Sequence, residues 1–344
     1  MRKLLFLLAI AAQAIVAQAQ NSNNKEPYMT RSLSGDAIKE VEARTSGGSI
    51  SVTGVTPSEA RIEVYVSGNN NQNLSKEEIQ QRLDELYNLD VTVANNKLTA
   101  MAKSKEQIRD WKKALNIAYK IYVPQTVATD LSTSGGSIHL ASLNGPQSFT
   151  TSGGSLHLKQ VSGKINGRTS GGSIHLEDTN NEIDLTTSGG SIHAKNCSGN
   201  IRLATSGGSL DLSDLKGTIK ATTSGGSVKG RNVEGELITF TSGGSINLTD
   251  LASSLETSTA GGNISVSFKS LGKYVKVHNS AGNIDITLPK DKGLDLDLSG
   301  TISNTSLTNF SGRMDDNEVR GKLNGGGVPV TVNAGAGRIR LQLQ

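Results

Sequence analysis

The string Thr-Ser-Gly-Gly-Ser, followed by Ile, Leu or Val, begins at Thr133, Thr151, Thr169, Thr187, Thr205, Thr223 and Thr241, always 18 residues apart. A variant, Thr-Ala-Gly-Gly-Asn-Ile, begins at Thr259. An outlying copy starts at Thr45 and a degraded one, Asn-Ser-Ala-Gly-Asn-Ile, at Asn279. A fixed period of this length marks a repeat architecture and outweighs any local reading.

Counted from the Thr, positions 6 and 8 are apolar, as in Ile138 and Leu140, Ile174 and Leu176, or Ile246 and Leu248. Position 11 is mostly apolar, position 15 carries Ile or Leu in most copies, and position 13 is often Gly. Alternation with period two describes short strands with one buried face. The glycine pairs are expected to supply the positive φ angles of sharp corners. Eighteen residues cannot enclose a core alone. Stacking coils about 4.8 Å apart solves this, with like residues in columns, aliphatic inside and Thr and Ser at the corners.

The expected fold is therefore all-β: a right-handed parallel β-solenoid (β-helix) of 18-residue coils, with a small α+β insertion acting as an N-terminal cap. A calcium-binding roll would need a recurring Asp that the strict copies replace with Ser. A left-handed hexapeptide helix would need a six-residue apolar period that does not occur.

The chain divides accordingly. Residues 1–19 read as a secretory signal: Arg2 and Lys3, an apolar run from Leu4, and Ala17-Gln18-Ala19 as the cleavage signature. Residues 20–44 form an N-terminal segment, 45–132 the first coils with the insertion, 133–298 the regular solenoid, and 299–344 the C-terminal coils and second cap. Within the insertion, Ile62, Val64 and Val66 alternate as a strand. Ser75 and Glu78 form a capping box ahead of Ile79, Leu83 and Leu86. Two strands flank Asn95-Asn96, and Ser104-x-x-Gln107 predicts a second helix carrying Ile108, Trp111 and Leu115. Val328 to Val332 and Ile339 to Leu343 alternate like closing strands.

Composition narrows the function. Aromatics make up 3% of the 344 residues while glycines number 39, which suits thin aliphatic layers better than an ordinary globule. The formal charge of +4 falls to +2 without Arg2 and Lys3, too mild and too scattered for nucleic acid. No later stretch is apolar enough for a transmembrane segment. The single cysteine, Cys197, sits in the aliphatic column at position 11, where burial is expected.

Ile121-Tyr122-Val123-Pro124 running into Asp130-Leu131-Ser132-Thr133-Ser134-Gly135-Gly136-Ser137-Ile138 resembles the start of the repeats in a bacterial putative-adhesin β-strand-repeat family, a domain of unknown function. The resemblance spans roughly residues 45–298. This chain departs from the family's Gly-Asp-Ile or Gly-Asn-Ile corner in its Gly-Ser-Ile copies and matches it at Gly199-Asn200-Ile201, Gly262-Asn263-Ile264 and Gly282-Asn283-Ile284. What it implies is architecture, with adhesion as the family's inferred role.

No catalytic or cofactor-binding residue is expected. The distinctive feature is position 7: His139, His157, His175 and His193, then Asp211, Lys229 and Asn247. Flanked by inward positions, this column should face solvent. It could pinch a zinc or copper ion between neighbours, though two imidazoles without a carboxylate or thiolate make a weak site. Ser173, His175 and Glu177 point the same way, but residues two apart in a strand are about 6.5 Å apart, too far for a nucleophile–base pair. Asp178, Asn196, Asp214, Asn232 and Asp250 at position 10 are expected to bond local backbone in turns.

The expected function is an exported, non-enzymatic, adhesin-like module in the periplasm or on the cell surface, presenting polar faces to a protein, glycan or envelope component. A polysaccharide-active β-helix enzyme is the alternative; it would need a loop-built cleft and aromatic platforms that the coils lack.

Overall fold

The computed structural model describes residues 26–69, 72, 74–108, 110–303 and 307–344. The expected signal at 1–19 lies outside them. The described chain is nearly all β, with one α-helix, Lys76–Leu86.

The repeats pair in parallel, each residue with its equivalent 18 positions on. Leu156 stands beside Ile138 on one side and Ile174 on the other, and the series continues through Ile192, Leu210, Val228, Ile246 and Ile264. A second parallel ladder runs through the later half of each repeat, joining Ile165, Ile183, Ile201, Ile219 and Leu237. Past Thr259 the repeat is longer: Ile264 pairs with Ile284, and the shift in register between Ser253 and Leu255 takes up the extra residues.

Positions 6, 8, 11 and 15 form the core, and so does position 17, which the apolar pattern hides because its occupants vary. There Phe149 is buried over Gly167, whose missing Cβ would lie 2.1 Å from the Phe ring and 2.6 Å from Leu185. One large ring thus fills the space its neighbour leaves, which keeps the interior close-packed. Buried Gln147, the exception at position 15, donates to the Val127 carbonyl at 2.9 Å and accepts from Thr129 Oγ1 at 2.6 Å.

The corners work differently from expectation. The Gly-Gly pairs do not carry positive φ. That conformation falls at position 10, from Ser142 (55°) through Asn196 (53°) to Asp250 (57°), and at position 13, as in Gly199 (114°). The second glycine of each pair is required by space instead: a Cβ on Gly154 would lie 1.9 Å from the Gly136 carbonyl oxygen of the preceding repeat. The position-1 threonines are buried beside it. Thr151 Oγ1 donates to the Gly136 carbonyl at 2.8 Å and accepts from the Gly154 N–H at 3.2 Å, and the pattern recurs through Thr259. In the degraded copy, Asn279 takes both roles with its amide.

Antiparallel strands lie outside both ladders at the N-terminal end and outside the second ladder at the other, where the first ladder ends on the parallel strand Ile339–Leu343. Glu40–Thr45 lies between Lys97–Ser104 and Ala128–Thr133, and Ile50–Val55 between Leu115–Pro124 and Ile138–Asn144. Outside them, Tyr87–Ala94 and Arg61–Gly68 run antiparallel. The helix rests on this layer through Leu83, and its capping box forms as the sequence suggests. The second helix does not. Trp111–Lys113 is a single 3-10 turn capped by Asp110, because Leu115 is drawn into a strand against Gly68.

At the other end, Val328–Leu343 is not the outermost element of the second ladder. Its first half is inserted between Val275–Asn279 and Leu294–Leu298. A hairpin absent from the sequence reading, Phe310–Met314 with Glu318–Leu323, lies outside Leu294–Ile302.

Candidate functional site

Because Ile and Leu anchor positions 6 and 8 in the core, position 7 must project outward. Identical register then stacks the four imidazoles of His139, His157, His175 and His193 face to face. Ring centroids are 4.6, 4.9 and 5.0 Å apart, with planes within 6° of parallel. The column continues through Ser51 on one side and Asp211, then Lys229, on the other. His193 Nδ1 lies 3.9 Å from the Asp211 carboxylate.

Position 9 makes the opposite wall, with Ala141, Lys159, Glu177, Lys195 and Ser213. Lys159 Nζ pairs with Glu177 at 3.0 Å. Between the walls runs an open groove of about 600 Å³.

Partial burial holds His139, His157 and His175 below the usual imidazole pKa. Neighbouring imidazoles add to the effect at His157 and His175. These three rings are therefore biased toward their neutral form.

The stacking decides what these rings can offer. Their faces are turned to each other, so the edges remain open, and each neutral ring presents one N–H donor and one acceptor. The lone pairs lie in parallel planes and do not converge. Zinc at about 2.1 Å from each of two nitrogens needs them within about 4.2 Å, so rings spaced as here would have to turn out of the stack to share an ion. Among the described residues no group of three or more His, Cys, Asp and Glu side chains is arranged to hold a metal.

Other singled-out residues have structural roles. Cys197 is buried, donates to the Lys195 carbonyl at 3.2 Å, and has its thiol pKa pushed up to about 11 by burial. Glu177 is tied to Lys159. The position-10 side chains link one repeat to the next rather than bonding only local backbone: Asn232 donates to Asp214 at 2.8 Å, and Asn196 to Asp178.

Two features had no clear signal in the sequence. A hollow of about 670 Å³ lies near Ile38 and Val127, and three of the six prolines (Pro57, Pro124 and Pro146) line it. The only tryptophan, Trp111, is 53% exposed on its short turn.

No family model matches the chain, and no curated protein matches it. Two solved structures align over most of its length. A "putative cell adhesion protein" from Clostridium sporogenes shares 10% identity over 92% of this chain and 98% of its own, with a TM-score of 0.17. A "putative adhesin" from Bacteroides fragilis shares 15% identity over 91% and 96%, with a TM-score of 0.25. The resemblance drawn from residues 121–138 thus meets neighbours bearing adhesin names and no family match; at these scores the likeness carries no weight in assigning function. No helix among the described residues is long and apolar enough to cross a membrane.

Proposed function

We propose that the chain is an exported, non-enzymatic binding module of the cell envelope, built as a right-handed solenoid of 18-residue coils that presents a continuous polar face to an adhesive partner. The carrying observation is that the histidine and position-9 columns form one open groove across successive repeats. Such a surface suits an extended partner lying along the stack. The right hand is supported by the strong bias of parallel crossover connections toward that hand. The antiparallel layers at 61–104 and 310–323 would serve as caps, covering edges that would otherwise recruit other chains.

Binding is favoured over hydrolysis by the carboxylates of the groove. Glycosidases place two carboxyl groups across one bond, typically about 5–9.5 Å apart. Glu177 and Asp211 lie two repeats apart, roughly 10 Å along the stack alone. One is paired with Lys159, and the other sits beside His193.

The test incubates the labelled chain with purified envelope polysaccharides and with whole bacterial surfaces. Saturable binding to one of them, with the polymer's length unchanged, is the expected result. Depolymerisation of a bound polymer, or no saturable binding to any surface, would overturn the reading.

A further inference from the structure

We propose that the groove between the position-7 and position-9 columns binds a linear, carboxylate-bearing polysaccharide, and that uptake of protons by the histidine stack switches this binding on. The inference rests on the reading of the chain as a binding module and adds both ligand class and control.

The charges set the switch. With neutral imidazoles, Lys159 and Lys195 face Glu177 and Asp211, so the groove carries no net charge. Asp178 lies at the adjacent corner, Lys229 stands beyond Asp211, and Lys120 beyond Ser51, where it lies over the Tyr65 ring at 4.6 Å. As residue classes, imidazoles are the side chains whose charge changes between pH 5 and 8. Each proton they accept adds one positive charge to a wall otherwise in balance.

Unaided, the stack resists charging, since two imidazolium groups about 4.8 Å apart repel by about 1 kcal/mol even in water. A ligand with negative charges repeating along the same line would offset that repulsion. An extended chain of uronic-acid rings is such a ligand, since every ring carries a carboxylate. Neutral glycans have less to hold. Proteins usually grip sugar rings on exposed aromatic faces, and here the faces are spent on one another. Charged N–H edges are what remains, and they make stronger hydrogen bonds to carboxylates than to hydroxyls. Asp211 sets one limit of the site by repelling a further carboxylate.

Linkage supplies the readout: affinity should rise about tenfold per pH unit for each proton taken up. Calorimetric titration with an oligogalacturonate, and with the same oligomer after carboxyl reduction, is made at about pH 7.5 and about pH 5.5, spanning the histidine range. Two buffers of different ionisation heat count the protons. Carboxylates with pKa near 4 stay largely ionised throughout. Tighter binding at the lower pH, net proton uptake and no binding of the reduced oligomer are expected. A His157→Gln, His175→Gln double variant should lose the acid enhancement while keeping its melting transition. A Lys159→Gln, Lys195→Gln variant should weaken binding at both pH values.

Equal affinity at both pH values, undiminished enhancement in the double histidine variant, binding of the reduced oligomer, or no binding would each overturn the inference. Saturable binding to another envelope polymer would leave the broader reading standing in every such case.

Discussion

The two glycines of each corner look alike in the repeat, yet they answer to different constraints. A Cβ on Gly153 would meet its nearest neighbour at 3.6 Å, an ordinary contact, whereas on Gly154 it would strike a carbonyl oxygen at 1.9 Å. Gly154→Ala should therefore force neighbouring repeats apart and cost about 1–3 kcal/mol or more, as overpacking does. Gly153→Ala should stay within roughly 0.5 kcal/mol. Urea unfolding midpoints of the two variants check the contrast, and equal losses would refute it. The period made both positions visible, but the reason for either depends on backbone from another repeat. Position 10 was legible in part. Asp and Asn from Asp178 onward marked a turn there, but the left-handed φ also falls on Ser142 and Gln160, whose identities carry no such signal. The histidine column was readable because two buried neighbours fix its direction. Its neighbouring wall shares the same strand and face, two residues on, so Glu177 was legible beside His175; the groove between the two columns was not, since it depends on which side chains stack above one another.

Strand alternation located the repeat strands and the ladder around Asn95-Asn96, whose residues adopt φ of 51° and 62° at a tight turn. It failed where a segment's partner is remote in sequence. The apolar spacing of Ile108, Trp111 and Leu115 imitates a helix, but pairing of Leu115 with Gly68 pulls the last of them into a sheet. Val328–Leu343 alternates as expected, yet no local pattern says that it belongs between Val275–Asn279 and Leu294–Leu298. Removing residues 328–344 should leave those edges, and Ile284–Leu288, with unpaired backbone groups that seek other chains. Size-exclusion chromatography with light scattering is expected to show concentration-dependent oligomers. A stable monomer melting like the intact protein would contradict this placement of the strand.

For the molecule as a whole, the histidine stack couples stability to acidity. The folded-state pKa of His139, His157 and His175 lies below the ordinary 6.5 because burial disfavours the charged rings. The unfolded chain consequently binds more protons as pH falls through 6.5. The stability tied to the neutral stack is present in full above that value and is lost on the way down to the lowered folded pKa. The melting temperature should fall further between about pH 7.5 and about pH 5.5 in the wild type than in a His157→Gln variant, a difference in which carboxylate effects cancel. Identical pH dependence in the two proteins would exclude the coupling.

The order of the chain along the two ladders also limits how the molecule can be assembled on a ribosome. Repeats 133–259 can be laid down one after another as they emerge. The outer layer formed by 294–302 is synthesised before the inner strand, 328–343, that separates it from the repeats. A nascent chain halted near residue 325 therefore holds a gap that only its own missing stretch, or the matching stretch of a sister molecule, has the register to fill.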